Sequence, residues 1–357
     1  MKKLISLTLA LMIALCALLP AIAEETRTLK FGVLSMLNVT EEEMLNYRKA
    51  RILIAEQLEK EGLLDNVIRE FLNGDAPNVK QEIVYFDTLD AMLMALNAGD
   101  VDEISIYQAV AQYLTHSDPN LVQVTAVSEG VDESNFMRFA RRGLMSNDFA
   151  FMFMEDNEAL RDEFDTALAS ITDEEMEKLI QDHITAAIDG DEISPIQMPV
   201  IEDAETVKVA VTGALPPMDY VAADGSPAGF NTALLAEISS RMGKNIELVV
   251  VDSVGRAAAL ASGTVDAVFW TRTNADSNER ANSSEEEFSK RRETGRKDMS
   301  EEERETMKKV SELISFAEYG RADMPEGTIV TAPYFSDVAV PVTTQARLDE
   351  GAARANQ

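Results

Sequence analysis

The hydrophobic and polar positions alternate in a strand–helix order that runs twice along the chain. Leu29-Lys30-Phe31-Gly32-Val33-Leu34 predicts a strand. Residues 41–62 follow with helical spacing, Met44, Ala50, Ile52, Leu53, Ile54 and Leu58 supplying the apolar contacts. Glu82-Ile83-Val84-Tyr85-Phe86 predicts a second strand, because β-branched and aromatic side chains suit a pleated sheet. Thr88 is placed to cap a helix through Asn97, Gly99 stops it, and residues 101–107 form a third strand. Such a β-α-β-α-β series builds a mostly parallel sheet with right-handed crossovers. Phe149 to Met154 is apolar on both faces, as an internal strand requires, and helices are predicted over 157–171 and 173–188, the second capped by Asp173.

Residues 190–204, with Pro195 and Pro199, read as a linker, after which the alternation restarts. Strands are predicted at 207–211, 245–251 and 265–270, with helices at 230–242 and 253–262. The two halves share a short pattern. Phe86-Asp87-Thr88 followed by Leu96-Asn97-Ala98-Gly99-Asp100-Val101-Asp102 is echoed by Val251-Asp252-Ser253 followed by Leu260-Ala261-Ser262-Gly263-Thr264-Val265-Asp266. The expected fold class is therefore α/β, with two related open units over 28–189 and 205–345. Residues 274–309 interrupt the second unit with dense Glu, Arg, Lys and Ser, predicting a solvated helix or a disordered insert, and the tail from Thr343 reads as polar and frayed.

Composition narrows the function. Asp and Glu number 63 against 32 Lys and Arg, a net charge of -31, so a polyanion such as nucleic acid would be repelled. The only cysteine is Cys16, which excludes disulfide frameworks and cysteine-ligated metals. Lys2 and Lys3, an apolar run from Leu4 to Leu19, and Ala21-Ile22-Ala23 before Glu24 form a signal peptide over 1–23. Leu15 precedes Cys16 where a lipidated cysteine normally follows a small residue, so a lipid anchor is not expected. No later run is long enough to span a membrane, and the expected location is the periplasm or the extracellular face of the cell membrane.

Catalytic chemistry finds little support. His116 falls in an expected loop and His183 in a polar helix, neither with a ligand-like partner at i+4. There is no glycine-rich phosphate loop. The runs Glu41-Glu42-Glu43, Asp173-Glu174-Glu175 and Glu301-Glu302-Glu303 read as helix starts and solvated faces. No cofactor, metal site or enzyme activity is expected. The most specific feature is the double proline in Thr212-Gly213-Ala214-Leu215-Pro216-Pro217-Met218-Asp219-Tyr220, which stiffens a loop at the sheet edge where open α/β folds bind ligands.

With Asp224-Gly225-Ser226-Pro227-Ala228-Gly229-Phe230-Asn231, Leu260 to Asp266, Thr271-Arg272-Thr273 through Glu279-Arg280, and Thr331-Ala332-Pro333-Tyr334-Phe335, this stretch resembles the extracytoplasmic solute-binding proteins of ABC transporters, of the polar amino-acid type. The first half is a weaker copy, and neither half looks like a complete two-lobed receptor; each is expected to be about one lobe of a periplasmic-binding-protein fold. The resemblance implies lobe closure around a small polar solute, an ABC permease as partner, and no chemistry. Carried over by position, it places Met218 where the family has a ligand-packing aromatic, with Tyr220 the nearest remaining one. It leaves the carboxylate clamp open between Arg280 and Arg272, and offers Thr271 and Thr273 as hydroxyl donors. The alternative is a degenerate member acting as a sensor or protein-interaction module.

Overall fold

A computed structural model describes residues 28–37, 39–62, 80–124, 136, 146–191, 193, 196–252, 254–273, 299–313 and 325–355. The expected leader over 1–23, with Cys16, and the stretch 274–298, with Arg280, lie outside the described residues.

Strand β1 (Thr28–Leu34) ends in four buried residues and pairs in parallel with β2 (Lys80–Phe86). Helix α1 (Glu41–Lys60) lies between them and starts where the Thr40 hydroxyl accepts the Glu43 N–H at 3.1 Å. Helix α2 (Leu89–Ala98) is capped by Thr88 and ends at Gly99, and β3 (Glu103–Tyr107) then pairs in parallel with β1. The loop expected around His116 is instead part of helix α3 (Gln108–Ser117), because Ala109, Val110, Ala111 and Leu114 form a buried face at helical spacing. Strand β4 (Leu121–Gln123) closes this region.

Strand β5 (Ser146–Met154) is buried from Asp148 to Phe153 and leads into α4 (Glu158–Ala169) and α5 (Asp173–Ile180). A π segment, Gln181–Thr185, carries α5 on into Ala186–Asp189. Thr172, not Asp173, caps α5: its hydroxyl accepts the Glu175 N–H while the Glu175 carboxylate accepts the Thr172 N–H at 2.8 Å. This reciprocal box satisfies two donors, which Asp173 in the first turn does not do.

The second series comprises β6 (Thr206–Val211), a small patch of β7 (Ala214–Leu215), β8 (Asp219–Val221) and β9 (Pro227–Ala228), then α6 (Phe230–Met242), β10 (Asn245–Val250), α7 (Arg256–Ala261) and β11 (Ala267–Thr273). Then come α8 (Glu301–Leu313), which begins within the charged stretch, β12 (Thr328–Val330), β13 (Phe335–Thr344) and α9 (Gln345–Ala355). The last is helix in a tail read as frayed. Met307 and Val310 of α8 are buried, so part of the charged stretch is neither a fully solvated face nor an unstructured insert.

The main sheet runs β10-β6-β11-β5-β13-β3-β1-β2, with β12 on β5 and β4 on β13. It falls into two half-sheets of one design. In each, the first strand of a series lies between the second and the third, all parallel. Beyond the third comes an antiparallel strand from the other half of the chain: β13 on β3, and β5 on β11. The start of β13 also pairs with the start of β5, Phe335 opposite Phe149, which joins the halves. By strand pairing, β5 therefore belongs with the second series and the greater part of β13 with the first. The division at residues 190–204 follows the sequence pattern alone.

The shared motif has the same geometry in both halves. Gly99 and Gly263 end their helices at φ 77° and φ 69°, a left-handed conformation open to glycine. The chain then turns so that Asp102 and Asp266 clasp the opening strands. The Asp102 carboxylate accepts the Lys30 N–H at 2.8 Å and the Asp266 carboxylate accepts the Lys208 N–H at 2.8 Å. Each aspartate's own N–H returns a 2.8 Å bond to the same lysine's carbonyl.

Candidate ligand cleft

The double proline forms a rigid turn at the end of β6. Asp219 is its anchor. Its carboxylate accepts N–H bonds from Thr212 at 2.9 Å and Gly213 at 2.6 Å and a hydroxyl bond from Thr212 at 2.9 Å. Burial pushes the Asp219 carboxyl up to about 7, against the opposing pull of these bonds. The Pro216–Pro217 bond is cis, and the Pro217 and Met218 carbonyls accept the N–H groups of Phe230 and Asn231 at 3.0 and 2.8 Å. Donors that a helix start leaves unpaired are thus satisfied by the loop. Gly229 has φ 102°, and a β-carbon there would stand 2.5 Å from the Met218 carbonyl oxygen, so only glycine allows this approach.

Strand β11 carries a bulge between Val268 and Thr271, where Trp270 takes φ 54°. Strain of this kind persists only where the surroundings over-determine it. The Trp270 N–H donates to the Tyr334 hydroxyl at 3.1 Å, and its ring stacks on Phe149 at 3.6 Å with Tyr107 edge-on. The Arg256 guanidinium, 7% exposed, donates to the carbonyls of Phe269 and Trp270 and reaches the Met36 carbonyl at 3.3 Å in the first half.

Beyond the bulge, Thr271, Arg272 and Thr273 are all buried and lie opposite Ala150, Phe149 and Asp148 of β5. The Thr271 hydroxyl has no hydrogen-bond partner among the described residues, and the Thr273 hydroxyl donates to the Asp148 carbonyl at 3.2 Å. Arg272, 3% exposed, forms an ion pair with Glu43, which is 0% exposed and lies on α1. Both guanidinium nitrogens reach the carboxylate, the second at 3.3 Å. Fork-to-fork geometry is what makes a buried pair tolerable, because each charge alone is costly to desolvate. Glu41 and Glu42 are exposed as the sequence reading expected, but Glu43 is not part of a solvated face.

Between the half-sheets opens a shallow cleft of about 50 Å³, open to solvent. The first half contributes Leu34, Met36, Asp87, Thr88 and Leu89, and the second Thr212, Ala214, Leu215, Val251 and Asp252. These are the carboxyl ends of the first two strands of each series, where open α/β folds gather ligands. Asp252 is held by the Gly255 N–H at 2.6 Å.

None of the described candidate residues lines this cleft. Met218 is wholly buried behind the loop, where its backbone carbonyl holds the start of α6. Tyr220 is half-buried on β8; burial, and next to it the phenol of Tyr113 on α3, raise its hydroxyl pKa. Thr271, Arg272 and Thr273 gather on β11 beneath the loop. Residues not singled out for binding are Asp87, Thr88, Asp252, Arg256 and Glu43. The first three stand in the repeated motif, so the signal was there. Nothing in sequence spacing marks Arg256 or Glu43, whose partners lie far along the chain.

Residues 207–317 match the family model of bacterial extracellular solute-binding proteins, family 3. That stretch contains the proline loop, the Leu260 to Asp266 motif and the Thr271 to Arg280 stretch that carry the resemblance, and leaves Thr331 to Phe335 outside it. No curated protein matches the sequence. Among solved structures, the chain is similar to a zinc-bound ligand-binding component of an ABC-type import system from Staphylococcus aureus: 11% identity, 92% of this chain and 70% of that one, TM-score 0.38. It is also similar to the periplasmic aliphatic sulphonate-binding protein SsuA from Escherichia coli: 13% identity, 92% and 69% coverage, TM-score 0.32. The BvgS VFT2 domain of Bordetella pertussis gives 11% identity, 93% and 86% coverage and a TM-score of 0.34. Scores this low carry no conclusion about the present chain.

Proposed function

We propose that the protein is the extracytoplasmic solute-binding component of an ABC importer. It takes a small polar solute, such as an amino acid, between its half-sheets and presents it to a membrane permease. The observation that carries this reading is the family match over 207–317, which coincides with the stiff proline loop at the edge of the cleft. Two half-sheets joined by paired crossing strands suit closure around a ligand, a binding motion with no bond-making step. Export through a cleaved leader accords with this role, and among the described residues no helix is long and apolar enough to cross a membrane.

Within this reading Met218, Tyr220, Thr271, Arg272, Thr273 and Arg280 remain the candidate ligand residues. Arg280 is the clamp to test first, because Arg272 already holds Glu43. Calorimetry of the protein against the twenty amino acids and a set of polyamines tests the proposal. A dissociation constant in the micromolar range or tighter for one of them, lost in Arg280→Ala, is the expected result. Silence from all of them on folded protein favours the second reading, a sensor or protein-interaction module without a free solute. Two observations favour that reading: Met218 is wholly buried, and an arginine suited to a carboxylate is filled from within the chain.

A further inference from the structure

Helix α1 belongs to the first half by its place between β1 and β2, yet later parts of the chain hold it at both ends. Just before its start, the Met36 carbonyl accepts from Arg256. In its first turn Glu43 meets Arg272, a partner 229 residues away. Near its far end, α8 lies across it. The Thr306 hydroxyl donates to the Gln57 side-chain oxygen at 3.3 Å, and Lys60 pairs with Glu302. Met307 and Val310 are buried. Two arginines thus grip a carbonyl and a carboxylate of the same segment, as a binding protein grips a guest, and α8 straps that segment in place.

We propose that the segment from Met36 through α1 is a built-in ligand of the second half, with Glu43 occupying Arg272 in place of a solute carboxylate. The halves are then held closed with no solute bound. Glu43 and Arg272 are each buried in a site that neither charge would tolerate alone, so separating the halves must hydrate both together. The pair therefore acts as a latch with two populated positions, paired and closed or hydrated and open, and Glu43 competes with any carboxylate solute for Arg272. This inference rests on the solute-binding reading only for what the latch excludes; the closure itself needs no solute.

The test measures closure without any ligand. Cysteines replace Met94 of the first half and Val254 of the second, both exposed, and Cys16 is changed to Ser so that only these two carry dyes. Energy transfer between single pairs is expected to show a predominantly high-transfer population in the otherwise unaltered chain. Glu43→Gln is expected to raise the low-transfer population about tenfold, and the exchange of Glu43→Arg with Arg272→Glu to reverse much of that rise. If Glu43→Gln does not fold, as judged by far-ultraviolet circular dichroism, the charge-keeping Arg272→Lys, which loses the two-pronged contact with Glu43, is expected to move the population the same way and decides alone. Equal populations in the unaltered chain and the deciding variant would overturn the latch. A latch that is intact while the calorimetric screen stays silent on both the unaltered chain and Glu43→Gln, in which the latch is released, removes the solute-binding reading and leaves this one standing.

Discussion

The two half-sheets agree where they are held together and differ where they face each other. Asp102 and Asp266 sit at the same turn, clasp the same strand position and use bonds of the same 2.8 Å length. At the opposing edges the likeness ends. After β6 the chain makes the proline turn anchored by Asp219, whereas after β1 it enters a short 3-10 turn, Ser35–Leu37, and a helix whose first turn carries Glu43. Across the meeting face the second half supplies arginines, and the first supplies the Met36 carbonyl and the Glu43 carboxylate that they reach. A motif that makes a fold can be duplicated unchanged, but two faces that meet must become complementary.

Substitutions can break each side of this comparison. The largest effect is expected from Arg272→Ala, which strands a buried carboxylate and should cost about 3–5 kcal/mol in urea unfolding, with Glu43→Ala added on top restoring most of it. A double variant no more stable than Arg272→Ala would show that the pair is not the source of the loss. Gly229→Ala attacks the turn found only in the second half. With a backbone at φ 102° and the Met218 carbonyl in the way, it should lose about 2–3 kcal/mol by the same measurement.

Asp102→Ala and Asp266→Ala should each cost about 1–2 kcal/mol, the former more because Asp102 is the more buried. A cost confined to one copy would contradict the equivalence of the two turns. The smallest effect is a pH slope. Burial raises the Asp337 carboxyl to about 6, although its oxygens accept N–H bonds from Ala109 and Val338. A carboxyl raised in the folded state binds its proton more tightly there than when unfolded, so its contribution is favourable at low pH and is lost as pH rises through about 6. Between pH 5 and 7 the loss is about 1 kcal/mol, and the Asp337→Asn variant should flatten that part of the stability profile. Asp219 acts with the same sign up to about 7.

Much of the fold was legible because it is written in local signals. The apolar runs of β1, β5 and β6, the Thr88 cap and the helix-ending glycines at 99 and 263 all report on neighbours a few residues away. The α3 helix was missed around His116 because its apolar face is made largely of alanine and is short. Thr172 caps where the acidic run points to Asp173, although Thr172 followed three residues later by Glu175 is the capping-box pattern and is legible in the sequence. The site was less legible. Thr271, Arg272 and Thr273 were picked out as a polar group at the end of a strand, but a bulge at Trp270 and a carboxylate from α1 determine what they touch. Charge run Glu41-Glu42-Glu43 holds two solvated members and one buried one, a distinction that depends on a partner on β11.

The exchanged strands impose an order on biogenesis. β1, β2 and β3 are made before the strand that completes their sheet, β13, which follows every other strand of both series. A chain emerging from the ribosome therefore carries an unfinished sheet edge until β13 is available, and pairing over so long a separation is slow. Such a polypeptide stays open, and its early strands exposed to wrong pairing, for longer than one whose early segments close a domain by themselves.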